Sequence, residues 1–448
     1  MRWHTEPRRR RPAARPGAFV ARTDQQKGFS MSSTVAVLGA GMVGVSCALE
    51  LQRRGHQVTL VDRLGPGRET SYGNAGVLAR SSLIPFNNPG LWASLPTLLK
   101  NRTAQFRYNP AFLARHPGWG LGFLARARQA PFQQTAAALD ALIRLSQPAH
   151  RQWLAEAGQS HRLRENGWIF LYRSQAAFDA GQFGRDTLAQ FGVQTEPLDA
   201  AALHALEPHL RPLFPRALWV RDAASVDSPG AVTESYARLF SARGGRLLQA
   251  PVQGLARTGP DGAWQLDLGE AGPLVAQRVV LALGPWSKGF LQQHLGLSVP
   301  MAFERGYHMH YAAEGEASLS RPVYDSAGGY VLSPMAQGLR LSTGVELTDL
   351  DAPPKLTQLD LAETAARQAF ALAQRLEDQP WLGRRPTLPD SRPAIGAAPG
   401  QPGLWLAFGH QHIGFSTGPG TALLLGALMD GEAPPVPAAP FRPERFVR

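Results

Sequence analysis

A β-branched and apolar run, Thr34-Val-Ala-Val-Leu38, is followed by glycines at 39, 41 and 44 and then by helical periodicity from Val45 to Arg54. The pattern predicts strand, tight turn and helix. A second strand, Gln57-Val-Thr-Leu-Val61, ends at Asp62. Residues 91–160, rich in Leu, Ala, Arg and Trp with proline punctuation, predict several helices, and Gly167-Trp-Ile-Phe-Leu-Tyr172 predicts a strand. Alternation between Met301 and Glu346, clearest in Tyr307-His-Met-His-Tyr311 and Leu339-Arg-Leu-Ser-Thr343, predicts antiparallel strands. Leu356 to Leu376 predicts an amphipathic helix closed near Pro380. Toward the end, Trp405 to Phe408 reads as a strand, Gly409 to Gly418 as a glycine-rich turn and Thr421 to Met429 as a helix. No repeat of solenoid length interrupts this order.

A chain of 448 residues, 44% hydrophobic and 18% charged, has the size of a soluble enzyme of two or three domains. Its 46 Gly and 37 Pro follow no fixed period, which excludes collagen-like and wholly disordered classes. The net charge is +12, but residues 1–30 carry seven Arg and one Lys against Glu6 and Asp24, so half the excess sits in an extension expected to be disordered or spurious. Beyond it no block of five like charges occurs, so nucleic acid is not an expected partner. A single Cys, Cys47, requires no oxidising compartment and reads as a small packed hydrophobe. No window offers the roughly 20 apolar residues of a spanning helix. A cytoplasmic protein, at most peripheral on the inner membrane, is expected.

The opening unit carries the first chemistry. Gly39 permits the turn, Gly41 admits a pyrophosphate where a Cβ would stand, and Gly44 lets the helix approach the sheet. Gly39, Ala40, Gly41, Met42, Val43 and Gly44 are therefore the expected phosphate cradle, at a helix N-terminus that favours anions. Asp62, with Arg63 beside it, ends the second strand where a carboxylate receives ribose hydroxyls.

The loop Glu69-Thr-Ser-Tyr-Gly-Asn-Ala-Gly-Val77 resembles that of the D-amino acid dehydrogenase branch of the D-amino acid oxidase and glycine oxidase superfamily. Gly244 to Val252, Arg278 to Ser287, and Gly383 through Gly396 to Gly418 resemble further segments of that family in the same order. The resemblance spans residues 34–432. It implies FAD as cofactor and adds Thr70, Ser71, Asn74, Ala75, Gly76, Val77, Val252, Gly284, Gly409, His410, His412, Ile413 and Gly414 to the residues that contact it. The implied fold is α/β, a discontinuous Rossmann-like FAD-binding domain (31–90, 220–295, 385–432) with an α+β substrate domain containing an antiparallel sheet (91–219, 296–384) and a tail from 433 to 448.

The implied reaction is oxidation of a D-amino acid or a D-hydroxyproline-like cyclic amine, with hydride passing from Cα to flavin N5 and electrons leaving to a quinone or other respiratory-chain carrier. Sarcosine or glycine oxidase-like and opine oxidase-like activities are the alternatives, as is a flavin-binding subunit that works with a partner. An amino acid carboxylate calls for Arg and Tyr, which directs attention to Arg305, Tyr307 and His308 on one strand, to His412 in the closing loop and to Tyr330, with Arg80 and Arg340 as weaker candidates. His308 with His310, and His410 with His412, have no Cys and no evident acidic third ligand, so no metal is expected.

Overall fold

Thr34–Leu38 forms the centre of a six-stranded sheet because it is apolar on both faces, as a strand covered from both sides must be. It pairs in parallel with Gln57–Asp62 and with Arg278–Leu281. Outward from these lie Arg246–Gln249 on one side and Leu404–Phe408 on the other, and Ala394–Ala397 closes the edge antiparallel. The computed structural model describes residues 32–258 and 262–447 together with Met1; the rest of the expected N-terminal extension lies outside the described residues. From Ser32 onward the chain is one compact unit.

The last helix differs from the expectation. It runs from Gly414 to Met429, so the glycine-rich turn is only Gly409 to Ile413. Gly418, Pro419 and Gly420 sit inside the helix for reasons of packing. A Cβ on Gly418 would lie 2.8 Å from the Met42 side chain on the first helix, Met42–Arg53, and one on Gly420 would lie 2.5 Å from the Leu142 carbonyl on the helix Gln129–Glu156. Pro419 has no N–H for the Phe415 carbonyl four residues earlier. His150 Nε2 donates to that carbonyl instead, at 3.0 Å.

A second, eleven-stranded sheet is built around Ala302–Ala313, which pairs antiparallel with Gly338–Thr343 and with Trp381–Thr387. The register aligns Trp381, His308, Ser342, Val331, Tyr324 and Phe170 in one row across six strands. The helix expected over Leu356–Leu376 is Thr357–Ala369; beyond it Leu372–Arg375 turns extended and pairs with Tyr311 and Ala313, because an open strand edge there offers hydrogen bonds that a longer helix would forfeit. Gln129–Glu156, expected among the substrate segments, packs on the last helix and on Pro229–Ala242. Among the described residues, no helix is long and apolar enough to cross a membrane.

His150 is buried between Tyr236 and Phe415, and burial pushes its pKa down to about 4. The unfolded chain takes up that proton near ~6.5, so stability is complete above that value and declines as pH falls toward 4. His150→Gln keeps a donor for the Phe415 carbonyl and removes the titration. Urea denaturation between pH 7 and 5 is expected to show a shallower loss of stability in the variant, by up to ~1.4 kcal/mol per pH unit; parallel profiles would contradict the role.

Candidate active site

A cleft of about 1080 Å³ opens along the N-terminus of the first helix, the loop 69–77, the turn 409–413 and one face of the large sheet. That is ample for a dinucleotide with a small substrate beside it. Of the sequence-expected cofactor residues, all but Ala40, Gly44, Gly76 and Gly409 line it.

At the nucleotide end, Gly39 has φ +101° and a Cβ there would stand 2.5 Å from the Ala282 carbonyl, so only glycine fits. Gly41 is the N-cap, and a Cβ on it would sit in the cradle, 3.2 Å from Ser71 Oγ. Ser71 Oγ accepts from the Met42 N–H at 2.8 Å, and the remaining N–H groups of the first turn face the cleft as an anion site. Asp62 does more than the motif implies. Its Oδ2 accepts from Ala40 N at 2.8 Å and its Oδ1 from Leu64 N and Gly65 N, which braces the turn and leaves lone pairs for ribose hydroxyls. Gly44 is a packing residue, since a Cβ would lie 1.8 Å from the Gly39 carbonyl. This cradle fits FAD.

The loop 70–76 is tied down by three strands of the large sheet. Thr70 Oγ1 donates to the Arg384 carbonyl at 2.7 Å, Ser333 Oγ to the Ala75 carbonyl at 2.8 Å, and Arg340 Nη1 to the Tyr72 and Asn74 carbonyls at 2.8 and 2.7 Å. Trp381, stacked on His308 with centroids 4.8 Å apart, fills the space that Gly73 leaves open, where a Cβ would lie 1.7 Å from the indole.

Arg385, which the sequence reading passed over, also lines the cleft. Its guanidinium lies across Gly306, where a Cβ would stand 2.6 Å from Nη2, and among the described residues its one hydrogen bond is a long one, 3.3 Å, to the Gly344 carbonyl. Burial lowers its pKa, and the nearby charge of Glu304 opposes that shift. Gln411, at φ +50°, bends the closing turn so that the two histidines diverge. His410 turns inward to Thr421 Oγ1 at 3.0 Å, and burial holds it neutral with a pKa of about 3. His412 opens on the cleft; the protein around it, and then the charge of Arg385, push its pKa down to about 4.

The other expected substrate residues lie away from the cleft. Tyr307, Met309 and Tyr311 pack on the helix Thr357–Ala369, whereas Gly306, His308 and His310 lie on the opposite face of the strand. Arg305 is fully buried and bonds Glu346, Tyr307 and the carbonyls of Ala352 and Pro353; the Tyr307 hydroxyl bonds Glu346 at 3.1 Å and accepts from the Lys355 N–H. The pair anchors the 350–355 segment. Tyr330 is buried beside the Arg173–Asp325 ion pair, and Arg80 is held by Asp140 and Asp222. His308 lies one layer beneath the cleft, its pKa pushed down to about 2 by burial and then by Arg340 and His310.

Glu377 supplies the acid that the sequence did not reveal beside His308 and His310, their ligand atoms all within 4.8 Å of one another. The geometry is that of a hydrogen-bonded relay: His310 Nδ1 meets Glu377 at 2.7 Å, and its Nε2 accepts from Arg340 Nε at 3.0 Å. A guanidinium in contact opposes a cation there.

A family model described as FAD dependent oxidoreductase matches residues 34–428. The chain is 32% identical over 423 residues to a D-amino-acid oxidase of Bradyrhizobium diazoefficiens, covering 92% of this chain and 99% of that one. It is 31% identical over 432 residues to D-amino acid dehydrogenase 2 of Ralstonia nicotianae, covering 91% and 99%. In fold it is similar to glycine oxidase from Geobacillus kaustophilus, with a TM-score of 0.70 at 21% identity over 92% of this chain and 98% of the other.

Gly41→Val is expected to leave the protein folded and largely colourless, because the branched side chain enters the cradle. Flavin absorbance per mole of purified protein measures it, and undiminished occupancy would remove Gly41 from the site.

Proposed function

From the premise that the chain belongs to the family of FAD-dependent oxidoreductases, we propose that it dehydrogenates a D-amino acid, or a D-hydroxyproline-like cyclic amine, at Cα. The observation that carries this reading is Arg385: a half-buried guanidinium that lines the cleft and, among the described residues, makes one long hydrogen bond suits a substrate carboxylate. The names of the similar curated proteins support the D configuration.

A bound flavin accepts the hydride and so supplies the redox chemistry. The chain's residues orient the substrate. Arg385 grips the carboxylate in a bidentate manner, which fixes the Cα–H direction. His412, exposed on the cleft, serves as a polar partner for the amine. Trp381, Val331 and Trp168 wall the side-chain space, and the cleft's acids, Asp62 and Glu69, belong to the cofactor end. The substrate side chain is therefore neutral or anionic. The imine product hydrolyses to a 2-oxo acid and ammonia or, if cyclic, leaves as a ring imine. Electrons pass on to a quinone or another carrier, a choice supported by the relatives named dehydrogenases.

Anaerobic bleaching of the flavin against D- and L-amino acids, hydroxyprolines, sarcosine and opines tests the reading. D-amino acids or hydroxy-D-prolines are expected to bleach it, and bleaching confined to sarcosine or L-amino acids would refute the assignment. Arg385→Met is expected to raise KM about 100-fold through loss of a charge-assisted pair, with flavin content retained. Gly306→Ala is expected to raise KM in the same direction, because the added methyl displaces the guanidinium.

A further inference from the structure

We propose that Arg340, held by His310 and Glu377, is the positioning residue that fixes the loop Thr70–Gly76 in its FAD-binding shape. The inference rests on FAD binding and not on the identity of the substrate.

The loop exposes carbonyls to the large sheet, and carbonyls need donors. Arg340 is 2% exposed and reaches two of them with one nitrogen, while its cation lies 5.4 Å from the Tyr72 ring. Its Nε is spent on His310. This use of the guanidinium explains the residue type: a planar fork binds in three directions at fixed angles, and an ammonium does not. Among the described residues, no carboxylate is in contact with Arg340. Its counter-charge, Glu377, stands one ring away, and both of its oxygens are engaged on His310, Oε1 on Nδ1 at 2.7 Å and Oε2 on the backbone N–H at 3.1 Å. His310 Nε2 accepts from Arg340 and so carries no hydrogen, which leaves the hydrogen on Nδ1 to donate to Glu377. The ring is fixed in one neutral tautomer.

Protonation of Nε2 would place two N–H groups nose to nose and two cations side by side. The charged or titratable groups around the ring are Arg340 on the adjacent strand, Glu377 beyond the far edge, His308 two positions along its own strand and Tyr72 in the loop. Glu377 alone favours the proton; burial and Arg340 oppose it, and burial is the larger cause. The clamp therefore holds at neutral pH and weakens as pH falls below the ordinary histidine range of ~6.5. Its far end is open to solvent, since the Glu377 side chain is 31% exposed.

The test is reconstitution of the apoprotein with FAD, followed by flavin fluorescence, with the melting temperature of the apoprotein measured in parallel. Arg340→Met is expected to raise the FAD dissociation constant about tenfold or more at pH 7.5. Arg340→Lys is expected to recover only part of the loss. Glu377→Gln, at a partly exposed position that folding tolerates, is expected to raise it about threefold with little change in apoprotein melting. In wild type, FAD affinity is expected to fall between pH 7 and 5. In His310→Gln, whose amide oxygen accepts from Arg340 at every pH, the fall is expected to be much smaller. Unchanged FAD affinity in both Arg340→Met and Glu377→Gln, or identical pH profiles for wild type and His310→Gln, would overturn the proposal. Failure of every amine to bleach the flavin would leave these outcomes untouched and bear only on the substrate.

Discussion

Placement of the last helix is the constraint on which the site depends. Gly414–Met429 is wedged between the first helix and Gln129–Glu156 at a distance that only glycine permits at positions 418 and 420. Its N-terminus has no side-chain cap, and Ile413, Gly414, Phe415 and Ser416 line the cleft, so the N–H end of a sixteen-residue helix opens on the cleft and favours an anion there. An internal proline would ordinarily destabilise such a helix by ~3 kcal/mol. Here His150 crosses from the neighbouring helix to satisfy the Phe415 carbonyl, and Gly420 N–H bonds Ser146 on that same helix. One helix thus repairs the other, and the repair fixes the depth at which the N-terminus meets the cleft.

Close approach also governs the opposite wall. Gly306 lets a guanidinium lie flat on a strand, and Gly73 lets Trp381 press against the cofactor loop. In each case the absent side chain defines where the present one goes. The same economy appears at Asp62, whose carboxylate orders the Gly39–Gly41 turn through Ala40 N–H before any ribose arrives. A pre-ordered cradle loses less entropy on binding than a loose one.

The sequence made the parallel sheet, the phosphate cradle and the strand alternation legible, because each depends on short-range pattern. What it hid depended on distance across the fold. Gly-Pro-Gly at 418–420 looks like a turn until two other helices are seen packed against it. Arg385 was one of 42 arginines, and only Gly306, diagonal to it on the paired strand, marks it as special. The misplacement of Arg305 and Tyr307 was avoidable, however. His308 and His310 alternate with them on one strand, so the two pairs face opposite sides, and a strand flanked by the cofactor loop cannot direct both to the cleft. Glu377 had no local signal at all: it reaches His310 from a turn 67 residues away.

Electrostatics then decides what the cleft can hold. Arg385 and Arg340 are both desolvated, each with a lowered pKa, and among the described residues neither has a carboxylate within ion-pair distance. For Arg340 the relay through His310 and the ring of Tyr72 suffices, and the residue stays within the protein. For Arg385 the nearest counter-charge is Glu304, itself buried and pushed toward its neutral form. A partly desolvated guanidinium beside a carboxyl that is itself pushed toward neutrality leaves a net positive potential on this wall of the cleft, which favours an anion there over a cation.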